Sequence, residues 1–76
     1  MIILIPMSYL TEGDNIRVQT GNVIPVDGVV VSGEATVNES SMTGEPLPVA
    51  KREGITVFAG TVVEEGNIVV NVKALS

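Results

Sequence analysis

The chain contains neither cysteine nor histidine. The first absence excludes disulfides and thiolate metal sites. The second removes the commonest general base at neutral pH and the commonest transition-metal ligand. Aromatic residues are confined to Tyr9 and Phe58, which leaves little for a surface that anchors a peptide or polysaccharide on exposed rings. Four cationic residues stand against nine acidic ones, for a net charge of −5. Arg17, Lys51, Arg52 and Lys73 are dispersed apart from one adjacent pair, so electrostatic binding to nucleic acid or to anionic lipid is not expected. No run approaches the roughly 20 apolar residues of a membrane helix. Met1 to Ile5 is apolar but too short for the core of a signal peptide.

What is present is aliphatic. The chain is 45% hydrophobic, largely Val, Ile, Leu and Ala, and 76 residues give one domain over 1–76 with no room for a second core. It opens in an apolar stretch and stops shortly after another, as expected of a segment from a larger protein.

The pattern is that of short strands. Ile2 to Ile5 reads as a buried strand ended by Pro6, and Glu12-Gly13-Asp14-Asn15 as a turn. Ile16-Arg17-Val18-Gln19 alternates apolar and polar, as a strand with one face on a core should. Pro25 confines Val23–Val26 to an edge or a bulge, and Asp27-Gly28 marks a bend. Val29-Val30-Val31 suggests a strand covered on both faces, ended at Ser32-Gly33-Glu34. Ala35 to Glu39 forms a short strand before the central loop, with Asn38 or Ser40 capping the turn. Leu47 to Ala50 leaves that loop, and Lys51-Arg52-Glu53-Gly54 reads as a solvated turn. Thr56 to Ala59 is a further strand, Glu64 to Asn67 a turn, and Ile68, Val70 and Val72 share one face of the last strand. Glycine recurs every 5 to 11 residues and no helical period stands out. The expected fold is all-β, a small distorted jelly-roll or double-stranded β-helix-like barrel that hides its edges.

The central loop Met42-Thr43-Gly44-Glu45-Pro46 carries the chemistry. Gly44 opens backbone angles closed to other residues. Pro46 fixes the torsion after the carboxylate and restricts Glu45 as well. Thr43 offers a hydroxyl for a local bond. Glu45 is thereby presented on a stiffened tip. The same four residues, Thr43 to Pro46, also make an ordinary surface turn.

The order of residues decides between these readings. Glu12-Gly13-Asp14-Asn15-Ile16-Arg17-Val18, Ile24-Pro25-Val26-Asp27-Gly28, Glu39-Ser40, Thr43-Gly44-Glu45-Pro46, Pro48-Val49, Lys51, Gly54 and Gly60-Thr61 closely resemble the actuator domain of P-type ATPases. The resemblance runs from about Pro6 to Val72. Proline after Thr-Gly-Glu, where many other cation pumps carry serine, looks most like the heavy-metal-transporting subfamily, copper-transporting first and zinc or cadmium second. Asn38 stands where relatives usually show aspartate.

The resemblance implies partners and chemistry beyond this chain. Such pumps form an aspartyl phosphate on a phosphorylation domain, using ATP and Mg²⁺ held by neighbouring domains. The actuator then swings its Thr-Gly-Glu loop onto that phosphate and is coupled to transmembrane helices. Glu45 is the catalytic candidate, supported by Thr43, Gly44 and Pro46. An acyl phosphate is already activated, so its hydrolysis chiefly needs a water held in line and relieved of a proton. No cofactor or metal ligand is assigned to this segment, and it is expected to be monomeric, without activity alone, and on the cytoplasmic side of a membrane.

Two other classes compete. A lipoyl or biotinyl carrier domain is also small, acidic and all-β, but its acceptor lysine, preceded by Met in the biotinyl type, has no counterpart here: Thr43 follows Met42, and Lys51 follows Ala50. A plain β-barrel interaction module lacks the aromatic anchors such sites use.

Overall fold

The computed structural model describes residues 10–75. Five strands and one helical turn follow in the order β1 (Asn15–Gln19), β2 (Val26–Asn38), α1 (Ser40–Thr43), β3 (Val49–Arg52), β4 (Thr56–Val57) and β5 (Val62–Leu75). All pairings are antiparallel, in the order β1-β5-β2-β3, with β4 on β2 as well. The all-β class holds. The strand read at Ile2 to Ile5 lies outside the described residues.

Two long strands, β2 and β5, form the spine, and this departs from the sequence reading. Ser32-Gly33-Glu34 and Glu64 to Asn67 carry turn-forming residues, yet both lie inside paired strands, with Gly33 opposite Ile68 and Gly66 opposite Ala35. Glycine here bends a strand without ending it. Gly33 has φ +86 and Gly66 φ +115, a region that favours glycine. A Cβ on Gly33 would strike the Asn67 carbonyl oxygen, and one on Gly66 the Glu34 carbonyl oxygen. The pair of glycines lets the two backbones approach.

Three register shifts accompany the bend, between Asp27 and Gly28, Val30 and Ser32, and Thr36 and Val37. Each leaves one residue without an opposite partner, Lys73, Val31 and Glu64 in turn. Such bulges increase twist and re-aim side chains. Val31 is accordingly exposed while Val30 is buried, so the Val29–Val31 run is not covered on both faces.

Elsewhere the alternation is as the sequence suggests. Ile16 and Val18 point inward from β1, and Ile68, Val70 and Val72 from β5. With Ile24, Val26, Val30, Val37, Val57 and Val63 they form one aliphatic core, each fully buried side chain contributing about 1.5–3 kcal/mol. The segments before and after the central loop do not form two halves, because β5 is sandwiched between β1 and β2.

Candidate functional site

The central loop begins in a helical turn that periodicity could not reveal, since four residues are too few to repeat. The N-cap of this turn is Glu39, with no side-chain cap bond, and not Asn38 or Ser40 as the sequence suggests. Asn38 instead makes a local bond just before it, its Oδ1 accepting the Ser40 amide at 2.8 Å. The turn closes at Gly44, with φ +80 and its amide bonded to the Ser40 carbonyl at 2.9 Å, a left-handed end that glycine takes readily.

Thr43 links the turn to the acidic tip. Its hydroxyl donates to the Glu39 carbonyl and accepts the Glu45 amide, each at 3.1 Å. The Met42 and Thr43 amides also reach the Glu39 carbonyl at 2.9 Å. Glu45 is therefore fixed by its main chain while its side chain is exposed. No described residue hydrogen-bonds or ion-pairs its carboxylate. Thr43, Gly44 and Pro46 are likewise exposed, so the four residues singled out from the sequence stand together at the surface. Exposed Met42 and Leu47 flank them.

Further ties join the loop to the body. Ser41 Oγ donates to the Gly60 carbonyl at 3.1 Å. The Gly60-Thr61 corner is itself held, since Asp27 Oδ1 accepts the Ala59 amide at 2.8 Å and the buried Thr61 hydroxyl donates to the Phe58 carbonyl at 2.6 Å. Asp27-Gly28 is not the bend read from the sequence, since both lie inside β2 with a register shift between them; Asp27 instead fixes the corner on which the loop rests. The bulged Glu64 accepts Asn38 Nδ2 at 2.8 Å. Asn38 uses both ends of its amide, one as acceptor and one as donor, which an aspartate could not do.

Lys51 corrects the sequence reading, and Glu39 is its partner. Lys51 belongs to β3 and not to a solvated turn, and its side chain is 6% exposed. Its Nζ lies 2.8 Å from Glu39 Oε2, donates to the Thr56 carbonyl at 2.9 Å and sits 5.3 Å from the Phe58 ring centre. Glu39 Oε2 is buried and makes no aligned hydrogen bond, so the lysine charge is what offsets its burial. A buried, paired lysine is also no acceptor for a lipoyl or biotinyl group.

Among the described residues, no group of three or more carboxylates is placed to hold a metal ion, and no helix is long and apolar enough to cross a membrane.

The model of the P-type ATPase actuator domain matches residues 2–76. The chain is 47% identical over 72 residues to "Copper-exporting P-type ATPase B" of Archaeoglobus fulgidus, covering 95% of this chain and 10% of that protein. It is 46% identical over 61 residues to "Silver exporting P-type ATPase" of Salmonella typhimurium, covering 80% of this chain and 7% of that one. The fold superposes on the crystal structure of a zinc-transporting PIB-type ATPase in its E2.Pi state with a TM-score of 0.83 at 35% identity, covering 95% of this chain and 12% of the other. The chain thus spans about a tenth of the length of the proteins it matches.

Proposed function

Because the chain belongs to the P-type ATPase actuator-domain family, we propose that it is the actuator of a heavy-metal-translocating pump. Its Thr43-Gly44-Glu45-Pro46 loop promotes hydrolysis of an aspartyl phosphate on the pump's phosphorylation domain and couples that step to ion transport. The observation that carries this reading is the exposed Glu45, whose main chain is held by Thr43 while its carboxylate is left unengaged by the described residues. Such a group can accept a proton from a water aimed in line at phosphorus. The water oxygen bonds to phosphorus, the acyl oxygen–phosphorus bond breaks, and the aspartate leaves as carboxylate.

Like charge opposes the approach of Glu45 to a phosphate. Cationic groups of the partner domain offset it. ATP and Mg²⁺ serve the parent pump in neighbouring domains, and no step is assigned to them in this segment. The partners are the phosphorylation and nucleotide-binding domains and the transmembrane helices of the same pump, with this segment on the cytoplasmic side and inactive alone. The names of the relatives, which print copper, silver and zinc, support a soft or borderline metal as cargo; copper(I) is the first candidate and zinc or cadmium the second.

The test is Glu45→Gln in the full pump. Phosphoenzyme forms from ATP as before, and its decay slows by about 10²–10⁴-fold, the range for loss of a general base. Decay at the parent rate overturns the role given to Glu45.

A further inference from the structure

The buried Glu39–Lys51 pair lies outside the loop motif, yet it sits at the root of the loop. The Glu39 carbonyl collects three bonds, from the Met42 amide, the Thr43 amide and the Thr43 hydroxyl. That same hydroxyl accepts the Glu45 amide. Where the Glu39 main chain goes, the tip follows. The Glu39 side chain, for its part, is pinned 2.8 Å from Lys51 Nζ, with the two side chains 10% and 6% exposed. Lys51 is in turn held by the Thr56 carbonyl at the start of β4 and by the face of Phe58. A continuous path therefore runs from β4 through Lys51 and Glu39 to Thr43 and Glu45.

We infer that Glu39 and Lys51 are positioning residues for dephosphorylation: the buried pair sets where Glu45 is held, and neither side chain touches the reacting atoms. This rests on the role proposed for Glu45. A buried ion pair is a weak source of net stability, but loss of one partner leaves an uncompensated buried charge; here the pair is read as fixing geometry. Catalysis by a held water is sensitive to displacements of about 1 Å. The chemistry of the pair fits the task. Lys51 is a point charge on a flexible stem, able to reach Glu39, a carbonyl and a ring together, and its removal leaves a buried carboxylate free to drag the turn toward water.

The experiment is a double-mutant cycle in the full pump, reading phosphoenzyme decay after labelling from ATP, normalised to the phosphoenzyme formed. Lys51→Met slows decay by roughly tenfold or more in the parent background. In a Glu45→Gln background it adds nothing, because the group it positions has already lost its function. A merely structural role would lower the amount of competent pump and leave the normalised rate unchanged in both backgrounds. The inference is overturned if Lys51→Met leaves normalised decay at the parent rate, or slows it equally with and without Glu45. Glu39→Gln, which keeps the shape and an acceptor oxygen beside Lys51, is read in the same cycle with the same two outcomes should Lys51→Met not accumulate in the membrane. If Glu45→Gln alone decays at the parent rate, the functional reading itself fails, an outcome distinct from failure of the positioning role.

Discussion

Thr43 Oγ1 lies 3.1 Å from the Glu45 amide and 3.1 Å from the Glu39 carbonyl, so one hydroxyl closes the loop on its own root. Thr43→Ser keeps both bonds and Thr43→Ala removes both. Normalised phosphoenzyme decay should stay near the parent rate in the serine variant and slow in the alanine variant. The hydroxyl is exposed or half-buried in both bonds, so stability should fall by only about 1 kcal/mol. Hydrogen exchange of the Glu45 amide gives an independent reading, faster in Thr43→Ala.

Asn38→Asp tests the bifunctional amide. The bond from the Ser40 amide to Oδ1 survives, but a second carboxylate then faces Glu64, which in the parent accepts from Asn38 at 2.8 Å. The pair is solvent-exposed, so the destabilisation at neutral pH should be about 0.5 kcal/mol. Denaturant titrations should show Glu64→Gln relieving it in the aspartate variant.

Gly66→Ala and Gly54→Ala separate two reasons for a glycine. Both have φ in the left-handed region. A Cβ at Gly54 meets nothing within 4 Å, whereas one at Gly66 meets the Glu34 carbonyl and Ala35. Gly54→Ala should cost about 1–2 kcal/mol for the backbone alone. Gly66→Ala adds overpacking of about 1–3 kcal/mol, enough to lose much of the cooperative unfolding transition in a domain this small.

Asp27→Ala leaves the Ala59 amide without its 2.8 Å partner in a part-buried corner, at a cost of about 1–3 kcal/mol. Asp27→Asn retains an acceptor oxygen and should lose far less. Chemical denaturation of the two variants side by side checks this.

The sequence made some of this legible and hid the rest for physical reasons. The acidic tip was readable because each neighbour acts on the backbone locally: glycine permits the left-handed turn end, threonine bonds to it and proline restricts it. The faces of β1 and of the last strand were readable because period-two alternation needs only a few residues. Ser32 to Glu34 and Glu64 to Asn67 misled, because glycine bends a paired strand as readily as it ends one. What distinguishes the cases is the partner strand, many positions away in the chain. Lys51 misled for a related reason: neighbours Arg52 and Glu53 are exposed, and the pairing of β2 with β3, which sets Lys51 opposite Ala35, depends on residues far off in the chain.

The three anchors of the loop, Ser41 on Gly60, Asn38 on Glu64 and Glu39 on Lys51, have a mechanical consequence. They attach to β5, to the corner before it and to β3, so a pull at the tip is shared across the sheet and not taken up by the loop as slack. Under the role proposed for Glu45, the orientation of the β-body would then set the position of the tip.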